Sequence, residues 1–237
     1  MNILIVGAQG SGKGTQAELL TKALGIRHIA SGDLFRQALQ EDTPLGLKAK
    51  AYIERGELVP DELTLEIVLQ HISLADCLVG FLLDGFPRTV SQANALDRTL
   101  DRIGQQIDLA LYLEVSRDAL LDRLSGRRIC RAHQHVYHLT TRPPKITGIC
   151  DIDGSELYQR TDDRGEAVNK RLDIFFNETI QLLDYYGKQD KLVTVDGSRN
   201  IDVVHQDIMH ILVDCYHYKK ISLGQLVSPV TQAIPQD

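Results

Sequence analysis

NILIVGAQGSGKGTQ, residues 2–16, decides the fold of this chain. Asn2 to Val6 is a short apolar run that stops at Gly7, and a helical pattern runs from Lys13 to Leu24. Between them, Gly7-x4-Gly12-Lys13 has the spacing of a phosphate-binding loop, in the strand-to-helix setting that such a loop requires. Glycines at 7, 10, 12 and 14 let the backbone curl until successive N–H groups point into one cavity. The following helix adds its positive N-terminal end, and Lys13 a point charge for the outer phosphates. The hydroxyl that usually follows the lysine is displaced by one place, from Gly14 to Thr15. The loop specifies a nucleotide phosphate and leaves the reaction open.

Outward from this loop, apolar runs recur at Gly80 to Leu83, Leu109 to Val115 and Leu192 to Val195, each followed by a helix-length segment. Short buried strands alternating with helices predict an α/β fold, a doubly wound parallel sheet covered on both faces. Ser31 and Thr89 are expected N-caps, and Pro60 precedes another helix. Helical spacing also runs from about Asp162 to Gln189.

Two segments break the alternation. Residues 30–59 hold short helical stretches divided by Pro44 and Gly56, and residues 127–160 hold two cysteines, three histidines and no sustained periodicity. The expected organisation is a core of residues 1–29, 60–126 and 161–214 with these two insertions. Residues 215–237 form a tail without clear periodicity, expected to be peripheral or partly disordered.

Composition narrows the classes. The chain has 237 residues, 43% hydrophobic and 24% charged, with a net charge of −6. An acidic chain argues against a general binder of nucleic acid or membrane surfaces. No apolar run approaches a bilayer span, and MNILIVGAQG reads as a strand rather than a leader. With four cysteines and no leader, reduced thiols and a cytoplasmic protein are expected.

A second motif, FLLDGFPRTVSQA (81–93), sets Asp84 at the C-terminal end of a buried strand, where ligands of parallel sheets collect. A carboxylate there, opposite a phosphate loop, suits magnesium held through its water shell. Arg88 follows on a turn stiffened by Pro87.

GAQGSGKGTQ (7–16), IASGDLFR (29–36), GELVPDE (56–62), LLDGFPRT (82–89), DRLSGRR (122–128) and YQRTDD (158–163) resemble adenylate kinases, in order and at family spacing. The resemblance runs from Met1 to about Asp214 and is to the long bacterial form. Gln9 replaces the family's usual proline, and Ser31 its usual threonine. The resemblance implies Mg2+-dependent transfer of the terminal phosphoryl group of ATP to AMP, giving two ADP, by a single chain. It places ATP against Gly10, Ser11, Gly12, Lys13, Gly14, Thr15, Arg123, Arg127, Val136, Tyr137 and Arg199. It places AMP against Ser31, Arg36, Glu57, Leu58, Val59, Gly85, Phe86, Pro87, Arg88 and Gln92. Lys13, Asp84, Arg88, Arg127, Arg160 and Arg171 would act in catalysis, the last two also on the AMP side. Asp162 and Asp163 fall at the family's lid hinge, where they would orient the arginines. Residues 30–59 become the monophosphate flap and 127–160 the lid.

The second insertion carries Cys130-x2-His133 and Cys150-x2-Asp153, two knuckles of matching spacing 16 residues apart. Two thiolates, an imidazole and a carboxylate can complete a tetrahedral zinc site. The alternative is a polar network without metal; His135 and His138 are rival ligands, with His133 preferred because its spacing mirrors Asp153. Two other functions compete with adenylate kinase. A uridylate or cytidylate kinase is disfavoured by the long insertion. A nucleotide-dependent switch is disfavoured by the DGFPR string and the arginine set.

Overall fold

The computed structural model describes residues 1–226 apart from 56, 73–76, 78 and 164. The chain begins with β1 (Asn2–Val6), α1 (Lys13–Leu24), β2 (Arg27–Ala30), α2 (Ser31–Gln40), α3 (Pro44–Glu54) and α4 (Asp61–Ile72). It continues through β3 (Phe81–Asp84), α5 (Val90–Arg102), β4 (Leu109–Glu114) and α6 (Arg117–Gly126). Three short strands follow, β5 (Arg127–Cys130), β6 (Val136–His138) and β7 (Leu157–Tyr158). A 3-10 turn at Thr161–Asp163 leads into α7 (Gly165–Ile174), a π-helical stretch at Phe175–Thr179 and α8 (Gln181–Gly187). The last elements are β8 (Leu192–Asp196) and α9 (Ile201–Leu226).

The main sheet has the order β2-β3-β1-β4-β8, and every neighbouring pair is parallel. Alternate side chains enter opposite cores, as the strand period requires. Leu4, Val6, Leu83, Ala110 and Tyr112 pack on one face, with Phe35, Val68, Leu96 and Leu172 from the helices. Ile3, Ile5, Leu82, Leu111 and Leu113 pack on the other, against Ala17 and Leu20 of α1 and Val204, Ile208 and Leu212 of α9. Burial on both faces explains why the strands read as continuous apolar runs.

The register fixes the working edge. Asp84 stands beside Ile5 of β1 and Ala30 of β2, so the loop after β1, the start of α2 and the turn after β3 share the sheet's C-terminal end. Thr89 caps α5 by accepting the Gln92 N–H at 3.1 Å. Ser31 does not cap α2: it is that helix's first residue, and its hydroxyl instead donates to the Gly85 carbonyl at 2.8 Å. Pro44 opens α3, with Thr43 as its cap, whereas Gly56 lies outside the described residues.

Residues 127–158 contain a separate antiparallel sheet, β6-β5-β7, around a small core of Cys130, Tyr137, Cys150 and Leu157. Strands of two to four residues leave too few positions for periodicity to register in the sequence. The expected loss of pattern after Asp214 is corrected: the backbone stays helical to Leu226, and residues 227–237 lie outside the described part. Among the described residues, no helix is long and apolar enough to cross a membrane.

Candidate active site

The loop between β1 and α1 turns through Gly10 at φ +86° and Gly12 at φ +96°, a backbone region that side chains rarely adopt. Gly14 lies inside α1. Lys13 Nζ folds back to donate to the Ala8 carbonyl at 2.9 Å. Burial, with Arg88, Arg171 and Arg127 pressing in the same direction, lowers its pKa to about 8 against the pull of Asp84. Ser11 Oγ is buried without a hydrogen-bond partner.

Asp84 faces this loop from the next strand: a Cβ placed on Gly14 would lie 3.8 Å from its Oδ2. His28 Nε2 is 3.9 Å from the same oxygen. Burial opposes ionisation of Asp84, yet His28 and Lys13 hold its pKa below the usual carboxylate value. A half-buried carboxylate beside a phosphate loop fits the partial, oxygen-only coordination that magnesium takes from proteins.

On the other side of Asp84, Arg88 Nε donates to the Gly85 carbonyl at 2.7 Å, beside Ser31. Burial lowers the Arg88 pKa, and Arg160 and Arg36 press on it as like charges. Arg36 pairs with Asp33, while its Nε is buried without a partner. Val59 and Phe86 are buried and Leu58 half-buried. Gln92 is buried too, with its amide engaged by Arg88 and Asp61. Glu57 accepts from Arg55 and from Lys170 of α7, both at 2.9 Å, and these bonds lower its pKa to about 2.

The remaining arginines gather on two adjacent carboxylates. Arg160 grips Asp162 at 2.9 and 2.7 Å. Arg127 grips Asp163, and Arg171 reaches both, at 3.1 Å to Asp162 and 3.2 Å to Asp163. Burial lowers the Arg171 pKa to about 10. Arg123 donates to the carbonyls of Gly10, Gly197 and Ser198 through the edges of its guanidinium. Arg199 pairs with Asp207 and Asp196. Val136 is exposed. Tyr137 is buried, and its hydroxyl accepts the Asp151 N–H at 2.8 Å.

In the small sheet, Cys130, His135, Cys150 and Asp153 each offer a ligand atom, all within 4.8 Å of one another. Cys130 Sγ lies 3.0 Å from Asp153 Oδ2, and His135 Nδ1 lies 3.3 Å from Cys150 Sγ and 3.4 Å from Asp153 Oδ2. Ligands around one tetrahedral zinc stand about 3.3–3.8 Å apart for bonds of roughly 2.0–2.3 Å, so the donor set fits. The histidine of this group is His135 rather than the expected His133. His133 is exposed and bonds Asp153 from outside at 2.7 Å. His138 turns away, accepting the N–H groups of Thr140 and Thr141.

Comparison with known proteins gives this geometry its family. The adenylate kinase family model matches residues 5–191. The chain belongs to the adenylate kinase family. Over 212 residues it is 50% identical to the adenylate kinases of Bacillus velezensis and Bacillus subtilis (strain 168), a match covering 90% of this chain and 98% of each of those proteins. The adenylate kinase of Carboxydothermus hydrogenoformans is also 50% identical, with 99% of that protein covered.

Within this family frame, the structure gathers Lys13, Asp84, Arg88, Arg127, Arg160 and Arg171 into one field of mutually acting charges. It does not bring Val136 or Tyr137 to the loop as side chains: one faces out and the other faces Cys150 of the Cys–His–Cys–Asp group. His28, which touches Asp84, lies in no quoted motif, and Asp61, which touches Gln92, lies in GELVPDE (56–62), where the resemblance assigns it no role. Two signals were available for Asp61: its place in that string and its position directly after Pro60 at a helix start.

Proposed function

We propose that the chain catalyses ATP + AMP ⇌ 2 ADP with Mg2+. The observation that carries this reading is a second set of cations beyond the phosphate loop. Lys13 feels Asp84, Arg88, Arg171 and Arg127, while Arg88 in turn feels Asp84, Arg160 and Arg36, a set of cations large enough for two nucleotides. A protein using one nucleotide has no need of the second set.

In this reading Lys13 and the loop hold the triphosphate, and Arg123 offers its face to the adenine. Arg36 and Arg88 hold the monophosphate. Its oxygen bonds to the γ-phosphorus as the bond to the β-phosphate oxygen breaks. Arg127, Arg160 and Arg171 stabilise the charge spread over the moving group, which is most of what such catalysis requires. Asp84 would hold magnesium, which when bound neutralises phosphate charge. Residues 30–59 and 127–160 would close over the substrates and exclude water. Cys130, His135, Cys150 and Asp153 would hold zinc in a closed four-ligand site, structural rather than catalytic. The four cysteines, none of them in a disulfide, support a reducing, cytoplasmic setting, and one chain supplying every cation supports a monomer. A coupled assay of AMP-dependent ADP formation tests the reading. ATP loss that ignores AMP, or equal kcat/KM for AMP and UMP, would sink it.

A further inference from the structure

We infer that Asp61 sets the base specificity of the monophosphate site by fixing which way round the Gln92 amide stands. The inference rests on the reading that Gln92 meets the base of AMP. A glutamine amide has two ends of nearly equal shape, and only its neighbours decide which is oxygen. Here both neighbours are unambiguous. The backbone N–H of Arg88 can only donate, and it points at Oε1 from 2.7 Å. The Asp61 carboxylate can only accept, and its Oδ1 lies 2.6 Å from Nε2. Its other oxygen accepts the Thr89 hydroxyl at 3.2 Å, which ties the carboxylate to the start of α5. Gln92 is 3% exposed, so water cannot substitute for either partner.

The bonded amide keeps one lone pair on Oε1 and one N–H on Nε2. That pair complements a 6-aminopurine, whose exocyclic amine donates and whose N1 accepts. A 6-oxopurine presents the reverse, a carbonyl that accepts and an N1–H that donates. To serve it, the amide must turn over. Nε2 would then face the Arg88 N–H, donor against donor, and Oε1 would face the Asp61 carboxylate, acceptor against acceptor. Rejection of IMP is therefore built at Asp61, one residue removed from the base, and Asp61 is a positioning residue.

The test is the ratio of kcat/KM for AMP to that for IMP, with ATP as donor, in the wild type, Asp61→Ala and Asp61→Asn. Asp61→Ala leaves only the Arg88 N–H to hold the amide, and the ratio is expected to fall about tenfold, the scale of one mismatched hydrogen bond. Asp61→Asn can turn either its oxygen or its NH2 toward Gln92, so it no longer enforces one orientation and should lower the ratio as Asp61→Ala does. A merely structural role would lower both substrates together. If Asp61→Ala does not fold, Asp61→Ser serves: its hydroxyl can face either end of the amide, and the same fall is expected. A wild-type preference for AMP that survives Asp61→Ala or Asp61→Ser overturns the inference alone. A wild type that does not prefer AMP over IMP overturns it together with the base reading of Gln92.

Discussion

Arg127 and Asp163 form a two-point ion pair, Nε to Oδ2 at 2.7 Å and Nη2 to Oδ1 at 2.5 Å. The Asp163 side chain is wholly buried, and its Oδ1 also takes Arg171. Arg127 opens β5 and Asp163 closes the turn after β7, so the pair joins both strands entering and leaving the small sheet. Removing the carboxylate leaves the part-buried Arg127 guanidinium without its paired carboxylate and Arg171 with Asp162 alone. Asp163→Ala should therefore lose about 3–5 kcal/mol of stability in urea unfolding, the cost of breaking a buried pair. Asp163→Asn, which keeps an acceptor, should lose less. A loss well below 1 kcal/mol for Asp163→Ala would mean that the pair is not holding the base of the insertion.

Arg88 gives the sharpest test of the phosphate field. Its guanidinium is anchored on the Gly85 carbonyl and lies in the field of Asp84, Arg160 and Arg36. It supports no strand or helix by itself. Arg88→Ala should fold normally and lower kcat by about a thousandfold, the scale of one missing transition-state donor. Near-normal turnover in the folded variant would remove Arg88 from the site.

Lys13 predicts a pH dependence whose sign follows from burial. Its ammonium is charged below about pH 8 and loses its proton above that value. Free-enzyme kcat/KM for ATP should hold to about pH 8, then fall about tenfold per unit. Lys13→Arg, which does not titrate in this range, should flatten the profile. Stability runs the other way. Below pH 8 the fold carries a buried charge that the unfolded chain keeps in water. Lys13 therefore destabilises there, and the cost fades as pH rises from about 8 toward 10.5. Lys13→Met should raise the Tm of the unliganded protein at pH 7 and change it little at pH 10.

These effects differ in how far they could be read from sequence. The phosphate loop, Asp84 and the parallel sheet were legible because a glycine spacing and apolar runs are local signals. β2 was not, since RHIA offers two charged or titratable side chains and only two apolar ones across four residues. Ser31 looked like a cap because serine often is one, but a tertiary acceptor at Gly85 claims its hydroxyl. Asp61 and Gln92 are 31 residues apart and meet only when α4 packs beside α5. No spacing rule reaches that distance. The helical residues after Asp214 lacked a visible apolar stripe, so their periodicity gave no warning.

The histidine of the proposed zinc site is where local spacing misleads most instructively. The two knuckles are alike in backbone: Gln134 N–H bonds the Cys130 carbonyl at 3.0 Å, and Gly154 N–H bonds the Cys150 carbonyl at 2.9 Å. That symmetry pairs His133 with Asp153, as the x2 spacing suggests. An imidazole is longer than a carboxylate, however, and from that position His133 stands outside Asp153, with its side chain 68% exposed. His135, two residues on, enters from the start of β6 and comes within reach of both Cys150 and Asp153. The expected result is one zinc per chain in protein purified without added metal. His135→Ala and the double change Cys130→Ser, Cys150→Ser should abolish that stoichiometry, while His133→Ala keeps it. A segment of this size has little core of its own, so metal binding there is folding energy. Chelation should lower the Tm of the insertion yet leave measurable kinase activity at moderate temperature, with magnesium still required. Zinc lost in His133→Ala and kept in His135→Ala would return the fourth ligand to His133. Absence of zinc, with melting unmoved by chelator, would leave a polar network in its place.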